Sequence, residues 1–421
     1  MVRLGYSVAD ITPDEPVPLI GFNRPDNVSR GVLKPLLAQV SVWESEERCC
    51  LICIDNIGFS KCRSDRLRMK ISTVLNVSID KVMLCFSHCH SAPDVDSVTL
   101  YYDMVCSKIE VAVRGALSNM QPVLVGWANV AAEIGINRRE GNRNIDKRIG
   151  ILKVCGLDND MHLLLLRVTA HCNVLKRDNH YISPDYFGTI RDVLQEKYDC
   201  PTMVIQGAAG NIAPKYFNSA LTPIDAKGSE YVRTATALDE MAKVIYERVA
   251  ERISIIDVSE NLSSNMYSKY ISLNAKIPSF EEAEHIVVDA KRYCGIDGSQ
   301  WLQEIARLQD EGISNQQENC EMQYFSIGQW CMCGVPYEIM VEFALEPMQI
   351  LKDEFFYVNG YTNGCLSYFP TEDEFELGGY EVYWSLLIYY KYFNRVFPFE
   401  KESASKLIRC IVQGKLASIA Q

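Results

Sequence analysis

The chain contains no stretch of about 18 uninterrupted apolar residues, so nothing in it reads as a membrane-spanning helix. Its opening, MVRLGYSVADITPDEP, lacks the apolar core of an export signal. Basic residues are in deficit: 42 Lys and Arg against 54 Asp and Glu leave a formal net charge of −12. With no basic stretch to offset that balance, a general nucleic-acid or anionic-membrane binder is disfavoured. Internal repeats, low-complexity tracts and long Pro/Gly/Ser linkers are also missing. Histidine is scarce, at six in 421 residues. Two of those six stand almost side by side.

What is present fits a globular protein with a sizeable core, at 48% hydrophobic and 23% charged residues. The length suits one large α/β domain or two domains sharing an interface. Sixteen cysteines is a high count, and many fall inside apolar runs such as CCLIC (49–53) and WCMCGVP (330–336). There a free thiol acts as a small buried hydrophobe. Without an export segment, the expectation is reduced cysteines in a cytoplasmic protein rather than a disulfide framework. Neither CCxxC nor the CxC at 331–333 has a matching second pair, so packing outweighs metal binding for both.

Strand-like runs alternate with helical segments. The former include QVSVWES, CCLICIDNIGF, KVMLCF, PVLVGWA, IGILKVC, HLLLLRVTA, PTMVIQ, FSIGQWCMCGV and FFYVNGY. Helical patterning covers about 60–76, 100–120, 229–254 and 280–311, and resumes from about Glu338 and near the C-terminus. Ser183-Pro184-Asp185 carries the serine cap and first-turn proline of another helix. The expected class is α/β, with mixed β-sheets packed between α-helices in a single large domain spanning 1–421.

Polar residues at the C-terminal ends of strands are the usual location of a site in such folds. VMLCF runs into His88 and His90, LLLLRVTA into His171, and WCMCGVP into Glu338. On an extended backbone, positions i and i+2 project to the same side, so His88 and His90 are expected to converge. Two same-side imidazoles suit a divalent ion, or one ligand beside one base. Taken alone, an HxH pair is more often two hydrogen-bonded histidines at a strand end. Glu338 also fits a first-turn helix glutamate. Asp55, after CLICI, reads equally as a turn former or as a carboxylate orienting a ligand histidine. The GAAGN loop reads as a tight turn or as a source of N–H groups for an oxyanion.

The chain resembles the neutral, non-lysosomal ceramidase family. The likeness is carried by GYSVADITPDEPVPLIGF, SHCHSAP, QGAAGNIAP, GVPYE and YFPTEDEFELGGYE, in that order over most of the chain. The resemblance implies one catalytic zinc ion held by His88, His171, Glu338 and Tyr368. It implies His90 as the group moving a proton, with Tyr380 and Arg138 of INRRE binding substrate or stabilising the oxyanion. The adjacent Arg139 competes with Arg138 for that place. Asp55, Gly207 and Asn211 are the expected supporting or substrate-binding residues. The implied reaction is hydrolysis of an N-acyl amide. An esterase or peptidase using the same site and a silent relative binding a lipid or a partner are the alternatives.

Three departures shift the expected substrate. The family carries an immunoglobulin-like domain after the catalytic region, and with about 40 residues following Tyr380 none is expected here. Gly207 and Asn211 stand where the family has serine and aspartate. The family is also largely secreted or membrane-associated. A smaller N-acyl amine, amino acid or peptide is therefore as good a candidate as ceramide.

Overall fold

Segments such as Leu163–Leu166 and Cys50–Ile54 are apolar at nearly every position because their strands are covered on both faces. In the computed structural model, which describes residues 1–215 and 235–419, Leu163 and Leu165 point into one core and Leu164 and Leu166 into another. Leu51 and Cys53 alternate in the same way with Cys50, Ile52 and Ile54. A strand pleats with period two, so burial on both sides erases the usual alternation of apolar and polar residues.

There are three principal sheets. The first is five-stranded, in the order Val82–Phe86, Arg48–Ile54, Leu37–Glu44, Arg3–Asp10, Gln121–Pro122. The second runs Thr202–Gln206, Met161–Val168, Arg148–Cys155, Leu124–Ala131. The third runs Ser264–Lys276, Asn315–Ile327, Trp330–Gly334, Phe356–Asn359. Residues from all three, among them Trp43, Met83, Leu165, Met203, Phe325 and Trp330, share one central core. Helices cover the outer faces. Lys61–Leu75, Thr99–Ser118, Asp185–Tyr198 and Ala235–Ala250 pack on the first two sheets. Glu342–Leu351 and Ser403–Ile419 pack on the third. The architecture is thus mixed α/β, as the sequence pattern predicts.

Each sheet is largely antiparallel but contains one parallel pair. These are Arg48–Ile54 with Val82–Phe86, Met161–Val168 with Thr202–Gln206, and Trp330–Gly334 with Phe356–Asn359. The segments leaving the C-terminal ends of these six strands carry nearly every candidate functional residue.

Two local expectations change, one strand pair is new and one expected helix is seen in part. FSIGQWCMCGV is a hairpin rather than one strand, turning at Gly328 (φ +58°) between Ile327 and Trp330. The partner strands Ser264–Lys276 and Asn315–Ile327 pair over 13 residues, but the second opens NQQENCEMQ, too polar to announce a strand. Glu338 is not in a helix: it begins a short strand, Glu338–Ile339, paired with Tyr368–Phe369, and the helix starts at Glu342. The helix expected over 229–254 is seen as Ala235–Ala250, its expected start lying outside the described residues.

A buried ion pair ties helix Lys61–Leu75 to the third sheet. Arg68 Nη1 lies 2.7 Å from Glu321 Oε2 and Nη2 2.8 Å from Oε1, each side chain only 2% exposed. Removing one partner strands a buried charge, which costs roughly 3–5 kcal/mol. Arg68→Met is expected to lower the stability read from urea unfolding by about that amount. Replacing Glu321 by Leu as well should recover most of it.

Candidate metal centre

His88, His90 and His171 come together, all nine-tenths buried or more. They do not do so on extended strands. Val82–Phe86 ends two residues before His88, which adopts φ +58°, in the left-handed region that only a few per cent of non-glycine residues use. The expected mechanism of convergence is therefore replaced by another. The loop is pinned by His88 N–H on Asn56 O (2.9 Å) and His90 N–H on Cys172 O (3.3 Å). Strain of this kind persists only where the surroundings over-determine it.

Each imidazole has its Nδ1 on a backbone carbonyl. His88 Nδ1 donates to Ile57 O at 2.6 Å, His90 Nδ1 to Gly21 O at 2.9 Å, and His171 Nδ1 to Ala209 O at 3.2 Å. A carbonyl oxygen only accepts, so Nδ1 carries a proton in each ring, and in the neutral imidazole it is Nε2 that presents the lone pair. Those lone pairs converge. His90 Nε2 and His171 Nε2 are 3.1 Å apart. Glu338 Oε2 lies 3.1 Å from His88 Nε2 and 3.9 Å from His171 Nε2, and has no hydrogen-bond partner. Burial first, then the positive charge of neighbouring groups, holds His90 and His171 well below the ordinary imidazole pKa.

A buried cluster of acceptors without a proton between them is costly unless a cation occupies it. Donor atoms bound about 2.0–2.1 Å from a four-coordinate ion lie about 3.3 Å apart, close to the spacings here. The residues therefore fit a divalent metal. The geometry groups His90 with the other two imidazoles rather than apart from them.

Tyr368 pairs in register with Glu338, so its phenol enters beside the carboxylate. Arg138 Nη1 reaches Tyr368 Oη at 3.5 Å and Glu381 Oε1 at 3.6 Å. Burial alone would lower its pKa, but Tyr368 and Glu381 hold it above the usual value, so Arg138 stays charged. Arg139 turns away, onto Glu374 and Gly378 O. Of the two arginines, Arg138 faces the site. The Tyr380 ring stands edge-on to Tyr368, 6.0 Å between centroids. Burial pushes both phenols well above the ordinary tyrosine pKa, so both stay protonated hydrogen-bond donors.

Three expected supporting residues do other work. Asp55 orients no histidine: it forms a bidentate pair with Arg191 at 2.9 and 2.6 Å. Carbonyls have taken over the orienting task. Gly207 lies under the site, where a Cβ would meet Thr169 Oγ1 at 2.4 Å and Arg167 Cζ at 2.6 Å. The Gly207 and Gly210 amides are engaged by Val168 O and Ile339 O, so the loop's clearest gift to the site is a carbonyl, Ala209 O. Asn211 is a positioning residue. Its carbonyl accepts from Arg138 N–H at 2.8 Å, and its side chain bridges Val341 N–H and Glu342.

Sequence reasoning missed Tyr361 and Cys365. The Tyr361 ring lies 4.3 Å from the His88 ring and its buried hydroxyl has no partner. Cys365 Sγ is 4.0 Å from Glu338 Oε1. The available signal was position: Tyr361 closes the strand-like FFYVNGY and Cys365 follows it closely. Gly21, inside the quoted N-terminal segment, was a better clue. At φ +101° it leaves room for the His90 ring, which a Cβ there would meet at 2.7 Å.

The cluster opens into a cavity of about 250 Å³ lined by His88, His90, Glu338, Tyr368 and Tyr380, with Phe22, Tyr389 and Tyr392 also in its wall.

No model of a known protein family matches the sequence, and no curated protein matches it either. Solved structures do share its fold. Neutral ceramidase from Pseudomonas aeruginosa superposes with a TM-score of 0.73 at 17% identity, over 98% of this chain and 73% of that one. A ceramidase complexed with C2 gives 0.71 at 15% identity, over 98% and 74%.

Calorimetric titration of the metal-free protein with zinc should find one ion per chain. His88→Ala should weaken binding by more than the roughly 10–100-fold that loss of a supporting residue costs. Binding undiminished in that variant would remove His88 from the ligand set.

Proposed function

We propose that this chain is a zinc-dependent hydrolase of N-acyl amides, related to the neutral ceramidases whose fold it shares. The observation carrying the proposal is the convergence of three Nε2 lone pairs and the Glu338 carboxylate at the floor of a cavity. His88, His171, Glu338 and Tyr368 would hold the ion. Zinc bound there would polarise an amide carbonyl and bring a bound water's pKa to about 7.

The remaining steps fall to the chain's own groups. His90 has its Nδ1 proton fixed on Gly21 O, leaving Nε2 as the atom that takes a proton from the attacking water and returns it to the leaving nitrogen. Its neutrality at physiological pH suits the first half of that task. Tyr380 Oη, protonated and beside Tyr368, would donate a hydrogen bond to the developing oxyanion. Arg138 would hold Tyr368 in place and supply positive charge behind it.

The cavity favours a compact substrate. Its volume of about 250 Å³ is slightly below the roughly 300–1,000 Å³ of typical small-molecule sites. That supports a short acyl group on an amine, amino acid or peptide over a two-chain lipid. Ceramide stays in the test as the comparison the fold demands.

A hydrolysis screen of the zinc-loaded protein against N-acyl amides of graded chain length, ceramide and matched esters decides the matter. The expected outcome is amide turnover with kcat/KM highest for short acyl groups. His90→Ala should retain zinc while losing about 10²–10⁴-fold in kcat. Full activity in that variant would sink the proton-transfer role, and zinc binding without turnover of any amide would sink the hydrolase.

A further inference from the structure

Residues 361–367 form the most constrained loop around the site. Tyr361 (φ +54°), Asn363 (+58°), Gly364 (+148°) and Ser367 (+123°) all lie in the positive-φ region. The loop is held against that strain from several sides. Asn363 Nδ2 donates to Gln323 Oε1 at 2.6 Å, and Leu84 N–H donates to Asn363 Oδ1 at 2.9 Å. The buried Arg395 donates to Ser367 Oγ at 2.5 Å, and Ser367 O accepts from Glu338 N–H at 2.8 Å. A loop held like this delivers its side chains deliberately. Tyr361 is one of them, and Tyr368 follows directly in its strand. Cys365 is the other.

Cys365 lines the cavity, with Sγ 4.0 Å from Glu338 Oε1 and 3.9 Å from His88 Nδ1. Its backbone N–H is fixed on Phe59 O at 3.1 Å. Gly58, at φ +136°, clears the space: a Cβ there would sit 2.4 Å from Cys365 Cβ. His88, Glu338 and Cys365 offer donor atoms within 4.8 Å of one another, forming a second possible ligand trio that shares two members with the metal centre. Independently, Glu338 is only 8% exposed and its Oε2 has no hydrogen-bond partner.

We propose that Cys365 is a sulfur donor of this metal centre, giving it a mixed nitrogen, oxygen and sulfur ligand set. The inference rests on the metal-centre reading above. A sulfur at about 2.3 Å and an oxygen at about 2.0–2.2 Å on one ion lie roughly 3–4.5 Å apart, depending on the angle between the bonds. The 4.0 Å from Cys365 Sγ to Glu338 Oε1 falls in that span. On binding, the thiol releases its proton to solvent and coordinates as thiolate, with no change of oxidation state. Such a set selects sulfur-tolerant cations, Zn²⁺, Co²⁺ or Cd²⁺, and discriminates against Mn²⁺ and Mg²⁺.

Cobalt(II) tests this without reference to turnover. The full chain, with the exposed Cys62 and Cys294 changed to serine, is loaded with Co²⁺ and its absorption recorded. The expected spectrum has visible d–d bands for one ion per chain and a near-ultraviolet thiolate-to-cobalt charge-transfer band. Cys365→Ser should abolish the charge-transfer band, keep the d–d bands, and weaken Cd²⁺ roughly tenfold or more relative to Mn²⁺. One bound Co²⁺ with no charge-transfer band overturns the sulfur donor and leaves the nitrogen and oxygen centre standing. A band surviving in Cys365→Ser overturns it too, because another thiol is then responsible. If no Co²⁺ binds at all, the metal-centre reading fails and this proposal with it. X-ray absorption of the zinc-loaded parent, which requires no variant, should show one sulfur scatterer; its absence is equally decisive.

Discussion

Three hydrogen bonds of one kind determine the chemistry of this molecule: imidazole Nδ1–H to a backbone carbonyl, made by His88, His90 and His171. Each fixes a tautomer, and together they turn three unprotonated nitrogens toward one point. If a carboxylate alone faced those rings, a proton could move in and the cluster would be an ordinary buried ion pair. Burial, then the positive charge of neighbouring groups, opposes that protonation at His90 and His171. Glu338 then adds a further acceptor to a place that already lacks donors. The resulting demand for positive charge is a property of the backbone as much as of the side chains, since the acceptors come from Ile57, Gly21 and Ala209.

The scaffold was legible where local sequence carried the physics. Apolar runs without alternation, such as LLLL at 163–166, announced strands buried on both faces, and polar residues at their ends located the site. His88, His90, His171 and Glu338 stood out at strand ends, whereas Tyr368, Tyr380 and Arg138 were selected by the family likeness alone; the fold gathers them all. What stayed hidden depends on distant partners or on backbone angles. Asp55 could not be recognised as an arginine partner because Arg191 lies 136 residues away. Nothing in SHCHSAP shows that His88 turns left-handed. Glu338 reads as a helix start because the Tyr368 strand that captures it comes 30 residues later. Cys365 is one of sixteen cysteines, and most of its fellows are core filler.

The polar network beneath the third sheet explains how a strained loop is tolerated. Glu321 receives Arg68 from a helix and Asn363 from the loop, while Gln323 takes the other Asn363 contact. Arg395 reaches the loop's end through Ser367. These groups are buried and most of their polar atoms are paired, Arg395 Nε standing without a hydrogen bond. Mutual pairing of this kind makes a buried network stiff. That stiffness is spent at the cavity, where Glu338 and Tyr368 are set side by side by two strands of two residues each.

The parallel pairs have one more consequence. Each sheet contributes a parallel strand pair, and the clustered side chains follow strands of all three: His88 and His90 after the first, His171 after the second, and Glu338, in its own two-residue strand, after the third. The cluster lies on the seam along which the three sheets meet. An ion seated there would act as a rivet, its affinity tied to the assembly of the whole chain: whatever loosened one sheet from the others would open its surroundings as well.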